Sequence, residues 1–218
     1  MNVSEEFTRV LKFIHAHRDG EVSENITRSG AQYNVNYGLS TLLLKNEARR
    51  IGPAQELAER LWVEDTRETR LMALFLLDPG RCDAVFLDKL VRTLATVEMS
   101  LQAAMTILQS PAVDVDLIVR WCKDDQMTVK LAGYNTLVRK VKTGTFAGEC
   151  LGTFFAMLGV EIAGHKPLPR QSVCAALEAI ASQGAPARDD VVRFVENMEV
   201  QDANAARFLV VNVLEVIR

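Results

Sequence analysis

A motif that returns about every thirty residues constrains this chain more than any other feature. Glu68-x-x-Leu71-x-Ala73-x-Phe75 recurs as Glu98-x-x-Leu101-x-Ala103-x-Met105, and a third copy runs Met127-x-x-Lys130-x-Ala132-x-Tyr134. Flanking residues keep the doubled offset: Trp62 returns as Trp121, Asp65 as Asp124 and Thr69 as Thr128. A fixed period of this size specifies stacked helix pairs, because each pair buries its apolar face only against its neighbours. The repeated alanine lets the next helix approach closely, and the bulky residue two positions on is expected to fill the space beside it. The reading is an all-α repeat solenoid, an α-α superhelix over residues 1–218, whose concave side is a binding groove.

Helical periodicity and turn signals place the elements. A first helix is expected over 4–17, with Ser4 as its cap and Phe7, Val10, Leu11 and Ile14 on one face. A short helix follows over 22–29, then the loop Tyr33-Asn-Val-Asn-Tyr37-Gly38-Leu39, with Ser40 capping a helix that Gly52-Pro53 ends. The regular pairs are 53–63 with 66–78, 83–94 with 97–109, and 113–123 with 126–142. Asp65 and Glu68 have the spacing of a capping box, and Asp124 or Asp125 is the cap of the third pair. Further helices are expected over 145–163, 170–183, 187–199 and 203–217, and no segment reads as a strand.

Composition excludes several classes. Hydrophobic residues make up 49% and charged residues 24% of the 218, ordinary values for a globular protein. No apolar run approaches the roughly 18 residues of a membrane span, and Glu5 and Glu6 stand where a signal peptide is basic. The expected location is cytoplasmic, with no membrane association. Cys82, Cys122, Cys150 and Cys174 are widely spaced without a C-x-x-C pair, and read as reduced core residues. His15 and His17 fall on different helix faces and His165 in a loop, so no metal site and no cofactor is expected.

Three segments together carry a family resemblance. They are Tyr37-Gly38-Leu39 followed by Arg49-Arg50, Leu61-Trp62 followed by Arg67-Glu68 and Ala73, and the repeat spacing downstream. In their order and spacing the chain resembles the DNA alkylation repair family, the AlkD-like proteins built from HEAT-like repeats, from about Phe7 to Val141 and more loosely beyond. The resemblance implies a HEAT-like fold that takes double-stranded DNA in its groove. In active members it implies an aromatic pair and an Asp at the start of the helix in the second pair, with an Arg from the following pair. The carboxylate stabilises the positive sugar that develops as the glycosidic bond of a cationic alkylated purine breaks, and the aromatics contact the lesion.

The matching stretch here is Ala95-Thr96-Val97-Glu98-Met99-Ser100-Leu101-Gln102. The tryptophan pair is absent, the Asp position falls at or near Leu101, and the Arg position falls near Lys130-Leu131. Glu98 is the carboxylate that could substitute as the catalytic residue; the competing reading is a partner of the helix dipole in the first turn. Trp62 and Trp121 read as packing residues rather than base platforms.

Charge is unevenly distributed. The formal net charge is −3, yet residues 120–142 hold six basic residues against two acidic ones. Lys123, Lys130, Arg139, Lys140 and Lys142 are therefore the candidate DNA contacts, with a solvated helix face as the alternative. Two functions follow: a DNA-binding protein of the alkylation repair family with weak, altered or absent glycosylase activity, or a HEAT-like scaffold for a protein or peptide partner. The acidic net charge and the missing active-site residues favour the scaffold; the resemblance favours DNA.

Overall fold

The computed structural model describes residues 2–145, 151–164 and 166–217. Cys150, His165 and the start of the helix expected over 145–163 lie outside the described residues. Helices dominate, and the sole bridge among the described residues joins Val35 to Thr66. The architecture is all-α and HEAT-like. The chain forms two compact units, Met1–Ala112 and Val113–Arg218.

The first unit holds α1 (Val3–Ala16), α2 (Gly20–Arg28), α3 (Thr41–Ile51), α4 (Gln55–Val63), α5 (Arg67–Leu76), α6 (Ala84–Arg92) and α7 (Val97–Met105). α5 is its centre, packed against α3, α4 and α7, while α1 covers α4. The second holds α8 (Val115–Cys122), α9 (Met127–Lys142), α10 (Leu151–Ala163), α11 (Pro167–Ala181), α12 (Ala185–Gln201) and α13 (Ala203–Leu209). The chain then passes through a π-turn, Val210–Leu214. Here α9 packs between α8 and α11, and α11 against α12. Gly133 sets the α8–α9 approach, since a Cβ there would stand 2.8 Å from the Cys122 nitrogen.

The caps correct several sequence assignments. Asn2, not Ser4, caps α1, accepting from the backbone N–H of Ser4 and Glu5. Thr66, not Asp65, caps α5 through a reciprocal box with Thr69, and Asp65 sits in the left-handed region at φ 50°. Neither Asp124 nor Asp125 caps α9; Gln126 precedes it without a side-chain cap, its N–H donating to Asp124. Ser40 caps α3 as expected. The second pair's helix ends at Met105, earlier than 109, and the chain continues as a 3-10 turn, Ile107–Gln109.

Ala73, Ala103 and Ala132 are all buried, as close approach of neighbouring helices requires. The position two residues on does not behave uniformly. Tyr134 is fully buried, Phe75 half-buried and Met105 44% exposed. The tryptophans also diverge: Trp121 is a core residue. Trp62 is half-buried with the Arg70 guanidinium 5.4 Å from its ring, and with Phe86 and Leu90 it lines an apolar cavity of about 290 Å³. Cys82, Cys122 and Cys174 are buried free thiols. Among the described residues no helix is long and apolar enough to cross a membrane, and no three His, Cys, Asp or Glu side chains converge as a metal site would need.

Candidate functional site

Glu98 sits in the first turn of α7, where Thr96 caps the helix by accepting from the Met99 N–H. A carboxylate in a first turn is favoured by the helix dipole, but four side-chain bonds define its surroundings. Arg67 donates from Nη2 to Oε1 at 2.6 Å and from Nε to Oε2 at 2.8 Å, a two-point fork. Tyr33 donates its hydroxyl to Oε2 at 2.7 Å, and Thr41 donates to Oε1 at 3.2 Å. The Thr96 hydroxyl, 2.7 Å from the Tyr33 oxygen, completes the chain of bonds. An ionised carboxylate offers about four acceptor sites, so this group is saturated.

The electrostatics follow from that geometry. Burial alone would raise the Glu98 pKa, but the bonds from Arg67 and Tyr33 and the charge of Arg67 outweigh it and hold the carboxyl below the usual range. Burial works against the charge of Arg67 too, and its bonds and charge interactions with Glu98 and Glu68 overcome that and raise it. For Tyr33, burial is the largest cause of a raised pKa, reinforced by the adjacent Glu98. Tyr33 therefore stays a neutral donor.

Glu68, expected as a capping residue, has a different role. It is fully buried and accepts from the backbone N–H of Tyr37 at 2.9 Å, from that of Leu39 at 3.3 Å and from Arg67 Nη1 at 2.9 Å. Arg67 Nη1 also donates to the Leu39 carbonyl at 2.7 Å. The Tyr37-Gly38-Leu39 loop is thus clamped onto the start of α5. Gly38, at φ 78°, is required there, because a Cβ would stand 2.1 Å from the Asp19 carbonyl oxygen. The sequence offers Glu98 as a catalytic candidate but gives no sign of Arg67, Tyr33 and Thr41 as its partners. The shared offset of Glu68 and Glu98 hinted at a common place at the helix start, not at a common arginine.

The five basic candidates separate in the second unit. Lys123, Arg139 and Lys142 are exposed. Lys130 Nζ lies 2.6 Å from Glu161 Oε2 beside a cleft of about 640 Å³ among α8, α9 and α10. Lys140 corrects the expectation: it is 1% exposed, and its ammonium donates to the Val113 carbonyl at 2.8 Å. Its burial pushes its pKa down, against the pull of Asp114. A buried ammonium cannot meet a phosphate on the surface. Leu101, at the position where the resemblance implies an Asp, is 40% exposed.

The family described as "DNA alkylation repair enzyme" matches residues 10–209. The chain belongs to this DNA alkylation repair family. Among solved structures it is similar to one described as a new family of proteins related to the HEAT-like repeat DNA glycosylases with affinity for branched DNA structures. The likeness has a TM-score of 0.76 at 19% identity, over 88% of this chain and 83% of that one. At this identity the likeness establishes the HEAT-like fold. No curated protein matches the chain significantly.

Proposed function

We propose that this member of the DNA alkylation repair family binds DNA and does not excise alkylated purines efficiently. The observation that carries the reading is the saturation of Glu98. Its four acceptor sites are filled, two of them by a fork from Arg67, which also pairs with Glu68. A carboxylate that stabilises a cationic sugar must keep charge available at that point, preorganised and close. The Glu98 oxygens are already held by four protein donors, and Leu101 supplies no carboxylate.

Family membership and the DNA affinity of the structurally similar protein support binding itself. Arg120, Lys123, Arg139 and Lys142 are the exposed cations of the basic segment, and Arg139 and Lys142, three apart on α9, lie on adjacent parts of one face. Each phosphate contact releases counterions, so binding should weaken as salt rises. A duplex titration across salt concentrations, beside an assay of base release from methylated DNA, tests both halves of the reading.

A further inference from the structure

A second cationic surface lies in the first unit, on α3. Lys45 and Arg49 stand one turn apart on α3, and with Phe75 of α5 and Met105 of α7 they line an open cavity of about 510 Å³. That volume lies within the roughly 300–1,000 Å³ of small-ligand sites. Its wall is mixed: two cations on one side, an aromatic ring and a thioether on the other. Leu101, four residues before Met105 on α7, extends the exposed apolar face.

Among the described residues, neither Lys45 nor Arg49 is paired with a carboxylate. Six arginines of the first unit, Arg9, Arg28, Arg50, Arg67, Arg70 and Arg92, are each paired with a carboxylate. Lys45 instead places its ammonium 5.3 Å from the centre of the Phe75 ring, and Arg49 donates to the neutral Asn46 amide at 3.3 Å. Burial, then the neighbouring Arg49, lowers the Lys45 pKa, so an anion arriving here would relieve a repulsion already present. The position of Phe75 and Met105 in the repeat is the one that Tyr134 fills completely in the third copy; here it is open to solvent.

We propose that this cavity takes one unstacked nucleotide of single-stranded DNA, its base against Phe75 and Met105 and its phosphate on Lys45 and Arg49. The proposal rests on the DNA-binding reading and deepens it. Aromatic faces hold unstacked bases of any sequence, and flanking cations track the phosphate, the combination that single-strand sites use. An acidic peptide would use the two cations but gains little from a ring and a thioether placed beside them. A single-stranded flap presents such unpaired nucleotides; a blunt duplex does not.

The test is fluorescence anisotropy with the full chain on two labelled probes of equal length, a blunt duplex and a duplex carrying a five-nucleotide single-stranded flap. Wild type should bind the flapped probe about tenfold more tightly, the scale of one stacked base. Phe75→Leu with Met105→Ala should abolish that preference and leave blunt-duplex affinity unchanged, with circular dichroism confirming the fold. Lys45→Gln with Arg49→Gln should lower the salt slope on the flapped probe by about 0.7 per lost contact. Equal binding of both probes, or a preference untouched by these variants, overturns the proposal while the DNA-binding reading stands. Failure of wild type to bind either probe overturns both. A polyglutamate peptide that binds through Lys45 and Arg49 and ignores Phe75→Leu would assign the cavity to acidic protein segments instead.

Discussion

Arg67 and Glu98 meet at 2.6 Å across the starts of two successive repeats, one nearly buried and the other at the edge of solvent. Each belongs to a segment that carries the family resemblance. The arginine also holds Glu68 and the Leu39 carbonyl, so one guanidinium ties the early loop, α5 and α7 together. The same contact stabilises the fold and occupies the carboxylate nearest to the expected catalytic position.

Removing Arg67 should therefore be costly. Arg67→Met leaves Glu68 buried and without its cation, and loss of one partner of such a group costs on the order of 3–5 kcal/mol. Glu98→Gln keeps hydrogen bonding to Tyr33 and Thr41 and should cost less, on the order of 1–3 kcal/mol. Urea denaturation of both variants checks the order. Equal midpoints for Arg67→Met and wild type would show that the cluster contributes nothing.

Glu98 also predicts an acid dependence. Its folded pKa lies below the unfolded value, so its contribution is present above about pH 4.3 and is lost as pH falls through the folded pKa. The stability difference between wild type and Glu98→Gln should shrink between pH 6 and pH 3, as measured by urea midpoints at each pH. A difference that is constant or grows toward acid would reverse the sign assigned here.

Ala103 is buried at the repeat position that lets helices approach. Ala103→Leu overpacks that contact and should cost on the order of 1–3 kcal/mol. An unchanged denaturation midpoint would contradict the alignment of the repeats.

The basic segment divides into surface and interior. Lys123→Gln, Arg139→Gln and Lys142→Gln together should weaken duplex binding across sequences and reduce the salt slope by about one per lost phosphate contact. Lys140→Ala should instead lower thermal stability, because it truncates a buried side chain, and should leave the DNA affinity of the folded protein unchanged. The opposite pattern would place the binding surface around Lys140.

Fold was legible because burial leaves a periodic trace. Ala73, Ala103 and Ala132 are small where helices must approach, and Phe7, Val10 and Ile14 of α1 are buried at helical spacing. The caps were less legible, since Asp, Thr and Ser all suit that role and only local backbone decides; Asp65 lost to Thr66 because the chain turns through positive φ there. The Glu98 cluster was half visible. Its carboxylate stood out, but its partners come from 31 and 65 residues away, a closeness that only tertiary folding creates. Lys140 misled for a related reason. Lysine is seldom buried, and nothing local signals that Val113 supplies a carbonyl to it.

The central claim is DNA binding without efficient excision, and base release tests it most directly. Glu98 precedes the position expected to hold the carboxylate by three residues, roughly 4–5 Å along a helix, and a misplacement of about 1 Å can cost a hundredfold in rate. Methylated duplex DNA is incubated with wild type and with Glu98→Gln, and free 7-methylguanine and 3-methyladenine are quantified beside a binding titration of the same preparations. The account predicts salt-sensitive binding by both proteins and release near the uncatalysed background from both. Efficient release by wild type would contradict it. Loss of that release in Glu98→Gln would make Glu98 the catalytic residue, and its persistence would put the catalytic carboxylate elsewhere in the chain.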